Sequence, residues 1–243
     1  MVTHNDVKKA LLSLEQPERA SFAARYFQTK LGGYGEGDQF LGLSMPQQHA
    51  VAKQFLTLPI DETEQLVRDS YHECRMTGLL IWVYQARSGL THSGLTRKGS
   101  VVPRMAIMER YLTNRQYVNN WDLVDLSATA LVGETLPTGD RSLLTELADE
   151  DHLWTQRIAL VATLAFIRNG QFRDTFVLAE QLLANKHSLV QSAIGWMLRE
   201  VGKRNEAALE EFLHDHIRSL SRTALRGAIY RFDAIRRRYY LDL

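Results

Sequence analysis

The chain has 243 residues, with 29 Lys+Arg against 28 Asp+Glu, 45% hydrophobic and 23% charged residues. That balance suits an ordinary globular protein able to bury a sizeable core, and it excludes a polybasic tail or an acidic solvating segment. Cys74 is the only cysteine, which excludes an internal disulfide and a Cys-rich zinc module. In chain order, the apolar periodicity predicts helices over 3–14, 17–30, 46–57, 61–70, 72–87, 97–114, 119–135, 139–149, 152–169, 171–184, 187–202, 204–218, 221–232 and 234–240. Breakers mark the boundaries: Gly32-Gly33, Pro46, Pro59, Gly89, Gly94, Pro137-Thr138-Gly139 and Asn169-Gly170. No segment alternates with period two, so the predicted class is all-α, as a single domain over 1–243. The first twenty residues lack the apolar run of a secretory signal. The apolar stretch from Ile158 to Ile167 is about half of the ~20 residues that span a bilayer. A cytoplasmic monomer is the expectation.

The helices are also paired. Strongly apolar segments begin near Met76, Trp121, Arg157, Ser192 and Thr223, at intervals of 45, 36, 35 and 31 residues. A polar, amphipathic helix precedes each one. This spacing fits a solenoid of stacked HEAT-like helical hairpins, one layer outside and the other lining a concave groove.

Several chemistries are missing from the sequence: it contains no GxxxxGK[ST] loop, no GxGxxG after a strand, no GxSxG elbow and no HExxH. The glycines at 32, 33, 35 and 37 could cradle a phosphate, but Glu36 and Asp38 would repel an anion, and a connection between helices is the simpler reading. His72 with Cys74, and His214 with His216, are two residues apart. On a helix such pairs point about 200° apart, so neither makes a metal site. No metal or cofactor is expected.

The segment Asn119-Asn120-Trp121-Asp122-Leu123-Val124-Asp125-Leu126 is the most informative. Asn119 or Asn120 can cap a helix, and Asp122 in its first turn suits the positive end of the dipole. Asp125 lies in mid-helix between Val124 and Leu126, one turn after Trp121 and on the same face. A carboxylate in such apolar company costs several kcal/mol if buried and unpaired. It therefore has a cationic partner, with Arg157 a candidate, or stands at the wall of a cleft. Arg157 and Trp196 belong to the same helix layer. Two indoles, a carboxylate and a guanidinium suit a cationic, flat or sugar-like group.

Basic residues gather at the C-terminus, where seven arginines from Arg218 to Arg238 face only Asp233 and Asp242. Arg199, Lys203 and Arg204 add to them. Arg222 and Arg226, one turn apart, form a phosphate-binding face suited to a polyanion.

The segments NNWDLVDLSA (119–128), LWTQRIAL (153–160) and AIGWMLREVGKR (193–204) resemble the AlkD-like DNA alkylation repair enzymes, as do YGEGDQFLG (34–42) and LSRTALRGAIYRF (220–232). The resemblance runs from about residue 20 to the C-terminus. It implies HEAT-like repeats and a monofunctional glycosylase that releases cationic alkylpurines from duplex DNA, with no metal and no covalent imine. It assigns the catalytic carboxylate to Asp125, the aromatic pair to Trp121 and Trp196, and the groove arginine to Arg157. Tyr34, Arg199, Lys203, Arg222 and Arg226 are the expected DNA contacts.

Loss of a base leaves an oxocarbenium-like sugar, which a single carboxylate can stabilise when the leaving group is already cationic. Relatives tend to carry basic residues where this chain has Ser44, His49, Ala50 and Ser192. Either the C-terminal arginines hold more of the DNA, or the chain binds DNA weakly or differently. The alternative functional reading is a non-catalytic repeat protein that binds damaged or branched DNA. A third is a HEAT-type scaffold for protein partners, with Asp125 sequestered in an ion pair.

Overall fold

The computed structural model describes residues 2–88, 103–136 and 139–243. The predicted breakers Gly89, Gly94, Pro137 and Thr138, and the start of the predicted helix at 97–102, lie outside the described residues. Within them the chain is all-α, and its one β feature is an isolated parallel bridge between Gln39 and Tyr71. No helix among the described residues is long and apolar enough to cross a membrane. Two compact units divide the chain, Met1–Leu131 and Val132–Leu243.

The N-terminal unit contains α1 (His4–Leu12), α2 (Pro17–Tyr26), α3 (Met45–Gln54), α4 (Ile60–Val67), α5 (His72–Ser88), α6 (Arg104–Thr113) and α7 (Trp121–Ala128). Helix α5 is its centre. It is buried on nearly every side, including Met76, Leu79, Leu80, Ile81 and Trp82. A helix buried on this many sides belongs in a core, and α3, α4 and α7 all pack on it. Local chemistry sets the helix starts: Ser44 and Gln47 form a capping box at α3, and Pro17 occupies the first turn of α2.

The C-terminal unit contains α8 (Ser142–Asp149), α9 (Leu153–Ala162), α10 (Leu164–Ile167), α11 (Arg173–Gln181), α12 (Ser188–Gly202), α13 (Glu206–His216), α14 (Arg222–Ala228) and α15 (Ala234–Asp242). Here α9, α12 and α14 are successive inner helices, with α12 packed on both others, while α8 covers α9 and α11 and α13 cover α12. The alternation of polar outer and apolar inner helices is what the spacing of apolar segments predicts. The predicted helix 152–169 is divided at Thr163, whose hydroxyl donates to the Leu160 carbonyl at 2.7 Å. Such back-bonding competes with the helical ladder and favours a bend.

The tightest packing in this unit is between α12 and α14. A Cβ on Gly195 would lie 2.5 Å from the Ala224 carbonyl oxygen, and one on Gly227 would lie 3.0 Å from the Gly195 Cα. The two backbones touch, so only glycine fits at the crossing. We predict that Gly195→Ala lowers stability by about 1–3 kcal/mol through overpacking. Gly139→Ala, where a Cβ meets nothing within 4 Å, should change stability by less than about 1 kcal/mol. Urea denaturation of the two variants measures both.

Candidate active site

In the N-terminal unit the site is built at the start of α7. Asn120 is the N-cap, in extended conformation, and its side chain makes no capping hydrogen bond. Asn119 instead donates to Asp38 Oδ1 at 3.0 Å. Asp122 in the first turn accepts the Leu123 N–H at 2.8 Å through Oδ1, and its Oδ2 lies 2.8 Å from His72 Nε2. The other ring nitrogen of His72 faces Asp38 at 3.4 Å, and Arg75 reaches Asp38 Oδ1 at 2.7 Å. The chain of groups Arg75–Asp38–His72–Asp122 thus ties the 34–43 segment and α5 to the first turn of α7.

The electrostatics follow from that geometry. Burial works against a charged imidazole, but hydrogen bonds to Asp122 and Asp38 outweigh it and hold the His72 pKa above its ordinary value. Burial likewise opposes charge on Asp38, yet His72, Arg75 and Asn119 together keep its carboxyl below the usual range. The His72 ring also forms a triangular cluster with two aromatic rings, with centroids 4.7 Å from Phe40 and 5.2 Å from Phe27, which are themselves 5.2 Å apart.

The 34–43 segment has a second anchor. The buried Glu73 carboxylate accepts the backbone N–H groups of Leu41, Gly42 and Leu43 at 2.9, 2.8 and 3.2 Å. At the other end of the segment the Glu36 carboxylate accepts the Gly32 N–H at 2.8 Å. The glycine-rich connection therefore satisfies a backbone donor with its own carboxylate, as befits a link between helices.

Trp121 and Asp125 both keep partial exposure on α7, whereas Leu123 and Val124 between them are buried. The Trp121 indole N–H donates to the Tyr34 hydroxyl at 3.2 Å, and the ring lies 5.6 Å from Phe27 and 6.3 Å from Tyr26. Below Asp125 lies Tyr111, whose hydroxyl is 3.0 Å from the Ser127 hydroxyl. Burial raises the Tyr111 pKa, the Ser127 hydrogen bond opposes that, and the negative charge of Asp125 raises it further. Tyr111 is accordingly a neutral phenol, and Asp125 is close enough for its charge to be felt there.

In the C-terminal unit, Trp196 is half-buried beside the Gly195 crossing, and its N–H donates to Glu200 Oε1 at 3.2 Å. Glu200 also gathers Lys203 at 2.5 Å and Arg204 at 3.8 Å. Of the four tryptophans, Trp82 and Trp154 are core residues; Trp121 and Trp196 are the two with an accessible edge. Arg157 differs from the expected open phosphate anchor. It is 5% exposed, and it donates to the Leu189 carbonyl at 2.5 Å, at the start of α12. Arg199 lies 5.6 Å above the Tyr230 ring. Arg226 is exposed, while Arg222 spends one N–H on the Leu241 carbonyl at 2.5 Å. Arg236 is held between Glu206 and Glu210. Among the described residues, no three His, Cys, Asp or Glu side chains converge as a metal site.

The chain matches the DNA alkylation repair enzyme family over residues 7–232. It belongs to that family. The match begins within α1, ahead of the segments that carry the sequence resemblance, and ends before α15. Three solved chains match this family member. One, described as a predicted DNA alkylation repair enzyme from Enterococcus faecalis, is 20% identical with a TM-score of 0.65, covering 90% of this chain and 97% of its own. That likeness shows the fold. No curated protein matches.

Four residues of this DNA alkylation repair family member escape a reading of the sequence: Asp38, His72, Glu73 and Glu200. The signal for Asp38 was present in the YGEGDQFLG segment, where an acid among glycines has no local use. His72 was weighed only against Cys74, two residues away, and its partners lie 34 and 50 residues off. The Glu73 anchor gives a direct test. Glu73→Ala should cost about 3 kcal/mol, because it strands buried N–H groups, and Glu73→Gln should cost less, since the amide oxygen still accepts. Equilibrium unfolding of both variants measures the difference.

Proposed function

We propose that the protein is a monofunctional DNA glycosylase that hydrolyses the N-glycosidic bond of cationic alkylated purines in duplex DNA. The observation that carries this reading is the first face of α7, where Asp125 and Trp121 keep accessible surface one turn apart in a member of the DNA alkylation repair family. Water attacks C1′ as the C1′–N bond breaks, and the departing purine keeps the bonding electrons and loses its positive charge. Asp125 stabilises the positive charge that develops on the sugar and orients the water, whose proton passes through the carboxylate to solvent. No general acid is required, because the base leaves as a neutral molecule.

Trp121 supplies an aromatic face for the deoxyribose and for the cationic base. In the C-terminal unit, Trp196 supplies a second aromatic face and Arg157 the positive charge that the resemblance assigns. The burial of Arg157 limits its reach, so the phosphate contacts fall more on Arg199, Lys203 and Arg226. Tyr34 holds the Trp121 indole. Ser44 and His49 do not supply the cations that relatives carry: Ser44 caps α3, and His49 is 2.7 Å from the Tyr84 hydroxyl. DNA affinity should therefore depend on the C-terminal unit and on salt. The reading places the protein in the cytoplasm as a monomer.

Asp125→Asn tests the assignment. The rate of release of a methylated purine from duplex DNA should fall by about 100-fold or more, with folding and DNA affinity retained. Unchanged release by this variant would refute the role of Asp125. In parallel, Arg226→Ala should weaken duplex binding and lower the slope of log affinity against log salt by roughly one.

A further inference from the structure

His72 is a buried titratable group beside the site that the proposed chemistry does not use. Its side chain is 3% exposed, against 4% for Asp38 and 19% for Asp122. Both ring nitrogens face carboxylate oxygens, and a ring with acceptors on both sides needs N–H groups on both, which is the imidazolium form. The charged groups facing the ring are Asp38 from the 34–43 segment, Asp122 from α7 and Arg75 from α5. The ring also clusters with Phe27 and Phe40, which carry no charge.

We propose that His72 is a positioning residue: its ring, clamped between Asp38 and Asp122, fixes the first turn of α7 and so aims Trp121 and Asp125. This rests on the reading of those two residues as the site. Asp122 adjoins Trp121 in the chain and precedes Asp125 by three residues, so all three belong to the first turn and a half of one helix. Phe27 stacks on His72 and packs on Trp121, giving a second mechanical link between the ring and the indole.

The linkage has a definite sign. A histidine held above its ordinary pKa contributes stability that is complete below about pH 6.5 and is lost as pH rises through the folded value. Asp38, held below its ordinary pKa, contributes above the unfolded value and fails as pH falls through the folded one. The clamp is therefore firm between those two folded values and loosens on the alkaline side first at His72.

The experiment is a nuclear magnetic resonance titration of the full chain from about pH 5 to about pH 9. It follows the His72 ring and the Trp121 indole N–H, in the wild type and in Asp122→Asn. We expect the ring to titrate above about 6.5 and the Trp121 resonance to shift with the same midpoint. In Asp122→Asn the His72 midpoint should fall and the indole should no longer follow it. Single-turnover release of a methylated purine should slow by about tenfold in this variant, with duplex affinity within about twofold, because aim is lost and grip is kept. An indole resonance indifferent to the His72 titration, or one that tracks it unchanged in Asp122→Asn, overturns the proposal. Coupled titration in a wild-type protein that releases no base supports the clamp and removes the glycosylase reading instead.

Discussion

The N-terminal unit depends on a cluster of charge taken out of water. Arg75, Asp38, His72 and Asp122 alternate in sign along one line, and each carboxylate finds a cation within hydrogen-bonding distance. Any one of these groups left alone at this depth would cost several kcal/mol. Together they join three parts of the chain that are far apart in sequence. The 34–43 segment has no regular structure of its own, and it holds its course through Asp38 at one end and the three N–H groups given to Glu73 at the other. Tyr34, which receives the Trp121 indole N–H, comes from this segment. The indole is thus held by a polar contact to this segment together with its packing on Phe27 and Tyr26.

The C-terminal unit reaches a similar end by another route. Its inner helices meet backbone to backbone where Gly195 and Gly227 cross, and the residue after Gly195 is the half-exposed Trp196. Close packing without a Cβ fixes the rotation of α12, and the Glu200 carboxylate then holds the indole N–H. The same carboxylate draws in Lys203 and Arg204. A basic surface and an aromatic edge are in this way organised by one acid that carries no positive charge of its own.

The all-α class was legible because apolar residues recur with helical spacing over almost the whole chain and the breakers fall between the runs. The inner helices α5, α9 and α12 stood out for the same reason, since each carries a long apolar run. What could not be read locally were contacts across long separations. His72 has partners 34 and 50 residues away, and spacing along one helix says nothing about them. Arg157 is another case: its burial and its hydrogen bond to the Leu189 carbonyl, 32 residues on, have no local signal in the sequence. The division at Thr163, where the hydroxyl bonds the Leu160 carbonyl, is likewise invisible to a periodicity argument.

The chemistry assigned to Asp125 requires that the sugar–base bond be hydrolysed by water, with no covalent link to the protein. The most direct test is to incubate the protein with a duplex carrying one N7-methylated guanine and to analyse both products by mass. The account predicts free methylated base and a strand bearing an intact abasic sugar, with no protein–DNA adduct trapped by borohydride. An unaltered duplex bound by the protein, or a trapped adduct, would contradict it.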